Sequence, residues 1–122
     1  GAPVVRMWNV RTGKQLRAFI DWRKVGSPCA VTFSPDGQLV AVGGSALPWT
    51  PRSPFPWARP KATSSRAVGG AITLSDARTG RILWMQKVSN MDRVTSVDFS
   101  PDGKLLAAGV AWDAKVMVWR IR

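Results

Sequence analysis

The sequence predicts an all-β chain built from repeated antiparallel hairpins. Two observations carry this. The segment Val31-Thr-Phe33-Ser34-Pro35-Asp36-Gly37-Gln-Leu39-Val-Ala41-Val-Gly43 returns 66 residues later as Val97-Asp-Phe99-Ser100-Pro101-Asp102-Gly103-Lys-Leu105-Leu-Ala107-Ala-Gly109. A second unit, Val5-Arg-Met7-Trp8-Asn9-Val10-Arg11-Thr12-Gly13-Lys14-Gln-Leu16, returns 67 residues later as Ile72-Thr-Leu74-Ser75-Asp76-Ala77-Arg78-Thr79-Gly80-Arg81-Ile82-Leu83. A shortened third copy stands at Val116-Met-Val118-Trp119-Arg120, only 44 residues after Ile72. The underlying period is therefore about 44, and the first interval carries extra residues.

The local chemistry justifies each hairpin. In Ser-Pro-Asp-Gly the Ser hydroxyl can bond turn backbone, Pro arrives with φ already set, and Gly supplies a left-handed residue. Pro also ends the preceding strand's ladder, because it has no amide proton. The flanking residues alternate apolar and polar, as half-buried strands do. A lone hairpin cannot bury its own apolar faces, so repeated hairpins must stack on one another.

These features resemble the WD-repeat β-propeller family. The paired Ser-Pro-Asp-Gly hairpins, Trp8-Asn9 and Ser75-Asp76 at the place of the family's Trp-Asp dipeptide, and the Thr-Gly-Lys/Arg turns after them carry the resemblance. It covers nearly everything except residues 45–70, and the period falls in the family's range. The implied fold is all-β, with antiparallel four-stranded blades of a β-propeller, incomplete within this chain. Residues 4–9 and 15–20 would end a first blade, placed at 1–20. Residues 29–34, 38–43, 71–75 and 81–87 would form a second, spanning 27–88 with an insertion at 45–70. Residues 94–99, 104–109 and 115–120 would begin a third, spanning 89–122 without its outer strand. Propellers close with four to eight blades. The chain is therefore expected to belong to a longer protein or to assemble with other copies or partners.

The family's blades carry a buried network of His, Ser or Thr, Asp and Trp. This chain has no His. The third blade's His and Ser places fall at Asn90 and Ala108, leaving Asp113 and Trp119. Apolar packing is expected to replace the network, with Asp113 capping its own turn.

Composition narrows the function. Eighteen Lys and Arg face seven acids, all Asp, for a net charge of +11. Such an excess suits an anionic partner, or marks one basic sector of a more balanced protein. No apolar run is long enough for a membrane helix, so no membrane insertion is expected. The single Cys29 cannot form an internal disulfide and fits a reducing, intracellular and cytoplasmic setting. Its neighbours suggest a small core residue.

Catalysis finds no support. Without His there is neither a Ser-His-Asp set nor an imidazole base. One Cys and no His exclude a zinc site, so neither metal nor cofactor is expected. Asp36 and Asp102 are accounted for by turns, and Asp76 closes a strand at the place the resemblance gives to the family dipeptide. Gly43-Gly44 and Gly69-Gly70 lack the Lys and helix of a phosphate loop.

The insertion stands apart. Five of the nine prolines lie in residues 48–60, and no acid occurs between Asp36 and Asp76. That density of Pro excludes helix and central strand. Trp49, Phe55 and Trp57 either fold back over a blade edge or form a recognition surface with Arg52, Arg59, Lys61 and Arg66. The resemblance groups this segment with loops 21–28, 88–93 and 110–114 on one rim. That adds Trp22, Arg23, Lys24, Arg93 and Trp112 to the candidate partner-binding residues, and Arg with Trp is typical of interaction hot spots. The expected function is a non-catalytic protein–protein scaffold. Its partners would be other proteins, including further blades or copies of this chain. The alternative is a basic nucleic-acid-binding module using the Arg/Trp/Pro-rich insertion, with bases stacked on Trp.

Overall fold

The computed structural model describes residues 4–22, 25–46, 69–89, 93–110 and 115–122. Among these residues lie nine strands in three antiparallel sheets. The first sheet pairs β1 (Val4–Trp8) with β2 (Gln15–Asp21). The middle sheet runs in order β3 (Gly26–Phe33), β4 (Leu39–Ala46), β5 (Gly70–Asp76) and β6 (Ile82–Ser89). The third holds β7 (Ser96–Phe99), β8 (Leu105–Val110) and β9 (Lys115–Arg120).

The twin hairpins have one geometry. Ser34 Oγ donates to Asp36 Oδ1 at 2.6 Å, and Ser100 Oγ to Asp102 Oδ1 at 2.6 Å. The amides of Gln38 and Lys104 each donate to that same carboxylate oxygen at 3.0 Å. The amides of Leu39 and Leu105 donate to the Ser hydroxyls, also at 3.0 Å. Gly37 and Gly103 take φ of 75° and 72°, in the left-handed region that glycine tolerates. Both Asp residues thus serve the turn backbone, as the sequence implies.

The second repeated unit also folds alike in its two copies. Asn9 Oδ1 accepts the amides of Arg11 and Thr12 at 2.9 and 3.2 Å, and Asp76 Oδ1 those of Arg78 and Thr79 at 2.7 and 3.2 Å. Asn and Asp interchange here because the job is to accept backbone protons, which either side chain does.

Alternation along β4 and β5 explains the stacking. Val40, Val42 and Ala46 join Met7, Ala18, Ile20, Trp22, Val25 and Ala71 in one buried cluster. Their chain neighbour Ala41 joins Ile72, Leu74, Val88, Val94, Phe99, Leu106, Ala108 and Val110 in another. Successive strand residues point to opposite faces, so the middle sheet is packed on both sides. Apolar side chains stay in solvent on the first and third sheets and on β3 of the middle sheet itself. Val31 and Phe33 lie opposite Val42 and Val40 in the ladder, yet both are exposed, because the first cluster draws nothing from β3. On the third sheet Leu105, Val116 and Val118 are exposed.

Three expectations need correction. The strands flanking the insertion are longer than the pattern suggests: pairing continues to Ser45↔Gly70, and β4 ends at Ala46. Cys29 is exposed rather than in the core: it falls on the alternating exposed positions of β3 with Ser27, Val31 and Phe33, beside a bulge between Pro28 and Ala30. The partly polar core is also richer than expected. Trp22 Nε1 donates to Thr73 Oγ1 at 3.2 Å in a fully buried link between first and middle sheets. Ser75 Oγ, at the dipeptide's Trp place, is buried without a hydrogen-bond partner among the described residues. Asn90 and Asp113 lie outside the described residues.

Candidate interaction surfaces

Antiparallel connection puts the β3–β4 and β5–β6 turns at one end of the middle sheet. The β2–β3, β4–β5 and β6–β7 connections lie at the other end, with β8–β9 on the same side of the third sheet. The rim expected for partner binding is this second end. Its base is tied down at several points. Ala46 N donates to Gly69 O at 3.0 Å, closing a neck where β4 ends and β5 begins. Val94 N donates to Gly44 O at 3.2 Å, joining the third sheet to the middle one beside that neck. Val25 N and Gly26 N both reach Trp22 O at 2.9 Å, forming a tight corner before β3.

The candidate binding residues divide sharply. Trp22 is 0% exposed, so it is packing rather than contact surface, a correction to the sequence expectation. Its indole anchors the corner through Thr73, and a side chain this large gains most by burial. Arg93 is exposed, immediately before the fully buried Val94. Arg23, Lys24, Trp49, Arg52, Phe55, Trp57, Arg59, Lys61, Arg66 and Trp112 lie outside the described residues.

The opposite rim has features that residue types alone do not disclose. Arg122 Nη1 meets Asp36 Oδ2 at 2.8 Å, tying the end of the third sheet to the turn of the middle one. The Ser34 hydroxyl first, then the Gln38 amide and Arg122, hold the Asp36 carboxyl far below the usual carboxylate range. Asp102 is lowered by its Ser100 hydroxyl and Lys104 amide. Arg122 falls beyond the repeated unit, so no comparison of the copies could mark it. A groove of about 570 Å³ opens between first and middle sheets, lined by Met7, Trp8, Leu16, Phe33, Leu39 and Ala77 among others. Among the described residues no group of three His, Cys, Asp or Glu could hold a metal ion. No helix among them is long and apolar enough to cross a membrane.

Stacked antiparallel sheets joined by short turns, each presenting loops at a shared rim, are the blades of a β-propeller. Residues 86–120 match the family described as WD domain, G-beta repeat. The match spans β6 through β9, the stretch over which an outer strand hands on to the next inner one. With the all-β sheets and the doubled hairpins, it supports a WD-repeat family. No curated protein matches the chain in a sequence comparison. WD repeats generally serve as non-catalytic scaffolds for protein interaction.

Proposed function

We propose that this chain is a docking platform that binds other proteins through the rim carrying the β2–β3, β4–β5, β6–β7 and β8–β9 connections, and that it performs no catalysis itself. The observation that carries this is the closed neck at Ala46–Gly69. It launches an aromatic, basic and proline-rich segment from two fully paired strands. A loop held by a rigid scaffold is where binding residues concentrate. Trp49, Phe55 and Trp57 supply apolar contact, and Arg52, Arg59, Lys61 and Arg66 supply charge, with Arg93 and Trp112 on adjoining connections.

The test compares the whole chain with a variant lacking residues 48–62, by cross-linking and mass spectrometry of captured proteins. The variant should lose captured proteins while its circular dichroism and melting stay as they were. A variant that unfolds would make the segment packing material, and unchanged capture would end the rim reading. Salt separates protein from nucleic acid: a complex held by phosphates weakens steeply as salt rises, by several decades for many contacts. A shallow response is expected.

A further inference from the structure

The end of the sheets opposite the loop rim gathers the β1–β2, β3–β4, β5–β6 and β7–β8 turns. Contacts between sheets bring them together. Arg122, beyond β9, meets Asp36 in the β3–β4 turn. A Cβ on Gly103, in the β7–β8 turn, would lie 3.6 Å from Pro35 Cδ. The groove between first and middle sheets is lined by Trp8 and Leu16, which flank the β1–β2 turn, together with Gln38 and Arg78. Turns from all three sheets therefore make one face.

Within each turn the acidic and neutral polar groups are bonded back to the chain. Asp36, Asp76 and Asp102 accept amides of their own turns, as Asn9 does. Thr12 and Thr79 Oγ1 accept the amides of Lys14 and Arg81, both at 3.3 Å. What remains outward is cationic. Arg11, Lys14, Arg78, Arg81, Lys104 and Arg120 are all exposed. Asp36 and Arg122 offset each other as an ion pair. Among the described residues of this face, that leaves six cations against Asp76 and Asp102. The repeated unit builds the excess, since Arg-Thr-Gly-Lys and Arg-Thr-Gly-Arg each put a cation at both ends of the turn.

The layout of these charges selects among anions. They are spread over three sheets, so they cover an area and do not line a single track. An extended nucleic acid or peptide would meet only some of them at once. A lipid surface is itself an area of negative charge that attracts basic segments, and its headgroups can move to meet each cation. Arginine, the commoner cation here, matches phosphate and carboxylate oxygens with its planar fork.

We propose that the turn face rests on an anionic lipid surface, its cations against headgroup phosphates and carboxylates, with no segment crossing the bilayer. The loop rim then points away from the lipid. The two surfaces lie at opposite ends of the sheets, so failure of either reading leaves the other standing.

The experiment is cosedimentation of the whole chain with phosphatidylcholine vesicles, with and without phosphatidylserine, at physiological salt. Binding should require the phosphatidylserine, and free inorganic phosphate should not displace it. Lys14→Gln, Arg78→Gln and Lys104→Gln, one from each sheet, should each weaken it by about fivefold, the share of one cation near such a surface. The double change Arg17→Gln and Lys115→Gln, at exposed positions away from these turns, should weaken it less than any of the three. A chain lacking residues 48–62 should bind as the parent does. Circular dichroism should be unchanged throughout. Equal binding to phosphatidylcholine alone, or no binding to either vesicle, would overturn the proposal. So would displacement by phosphate, a loss confined to one of the three turns, or a loss on deleting 48–62. A DNA duplex that still holds the chain at a salt concentration that has freed it from the vesicles would give the face to nucleic acid and overturn it as well.

Discussion

At the scale of single residues, the twin aspartates form an internal control. Asp36 and Asp102 accept the same hydroxyl and the same amide at the same distances, and only Asp36 has an Arg partner. Replacing Arg122 by Gln should raise the Asp36 value toward that of Asp102 and leave Asp102 unmoved, as read by carboxyl NMR titration. Both carboxyls are lowered in the folded chain. The unfolded chain therefore binds more protons in acid, and stability falls as pH drops. The contribution is fully present above the ordinary Asp value of about 4 and is lost as pH falls below it toward the folded values. Urea denaturation across that range should show the Asp102→Asn variant with a shallower acid loss than the parent. Trp22 offers a second test at this scale. Trp22→Phe keeps most of the packing but leaves the buried Thr73 hydroxyl unpaired, and should cost about 1–3 kcal/mol. Combining it with Thr73→Val should recover part of that loss, because both halves of the polar pair are then gone.

At the scale of elements, the turns are held both by their own capping and by their neighbours. Gly80 has φ of 76° in the β5–β6 turn, and a Cβ there would run into the backbone carbonyl of Phe19 on β2. Gly80→Ala should therefore destabilise by more than the roughly 1–2 kcal/mol of a left-handed residue alone. Its Gly13 counterpart has the same φ and open space around it, so Gly13→Ala should cost only that conformational penalty. Thermal melts of the two variants measure the difference. Much of this was legible in the chain itself. Turn residues act over a few positions, so Ser-Pro-Asp-Gly and Asn or Asp with Thr-Gly announced their hairpins. What lay hidden depends on contacts distant in sequence. Trp22 reads as a rim aromatic beside Arg23 and Lys24, and only the approach of Thr73, from another sheet, makes it core. Cys29 sits in an apolar neighbourhood of the chain, yet it falls on the exposed positions of β3 with Val31 and Phe33. The extension of β4 to Ala46 was masked by Gly43-Gly44, residues that ordinarily weaken a strand.

At the scale of the whole molecule, burial is graded from the middle sheet outward. β4 and β5 are buried almost throughout, whereas β9 and β2 alternate with solvent-exposed positions. Hydrogen exchange should accordingly be slowest in β4 and β5 and faster in β1, β2 and β9, since local opening follows the loss of buried contacts. Truncating Ile72 to Ala, at the centre of the second cluster, should cost about 2–5 kcal/mol. The same change at exposed Val116 should stay within about 0.5 kcal/mol. Chemical denaturation of the two variants tests the gradient.

The neck at Ala46–Gly69 has an implication for how such a chain can change. Once two strands are fastened right up to their ends, the length of chain that joins them hardly matters: doubling it adds only about 0.6 kcal/mol of closure entropy. The stem works as a socket. A different stretch of amino acids, longer or shorter, could be carried on the same fixture, so novelty in this region can accumulate while the sheets beneath stay as they are.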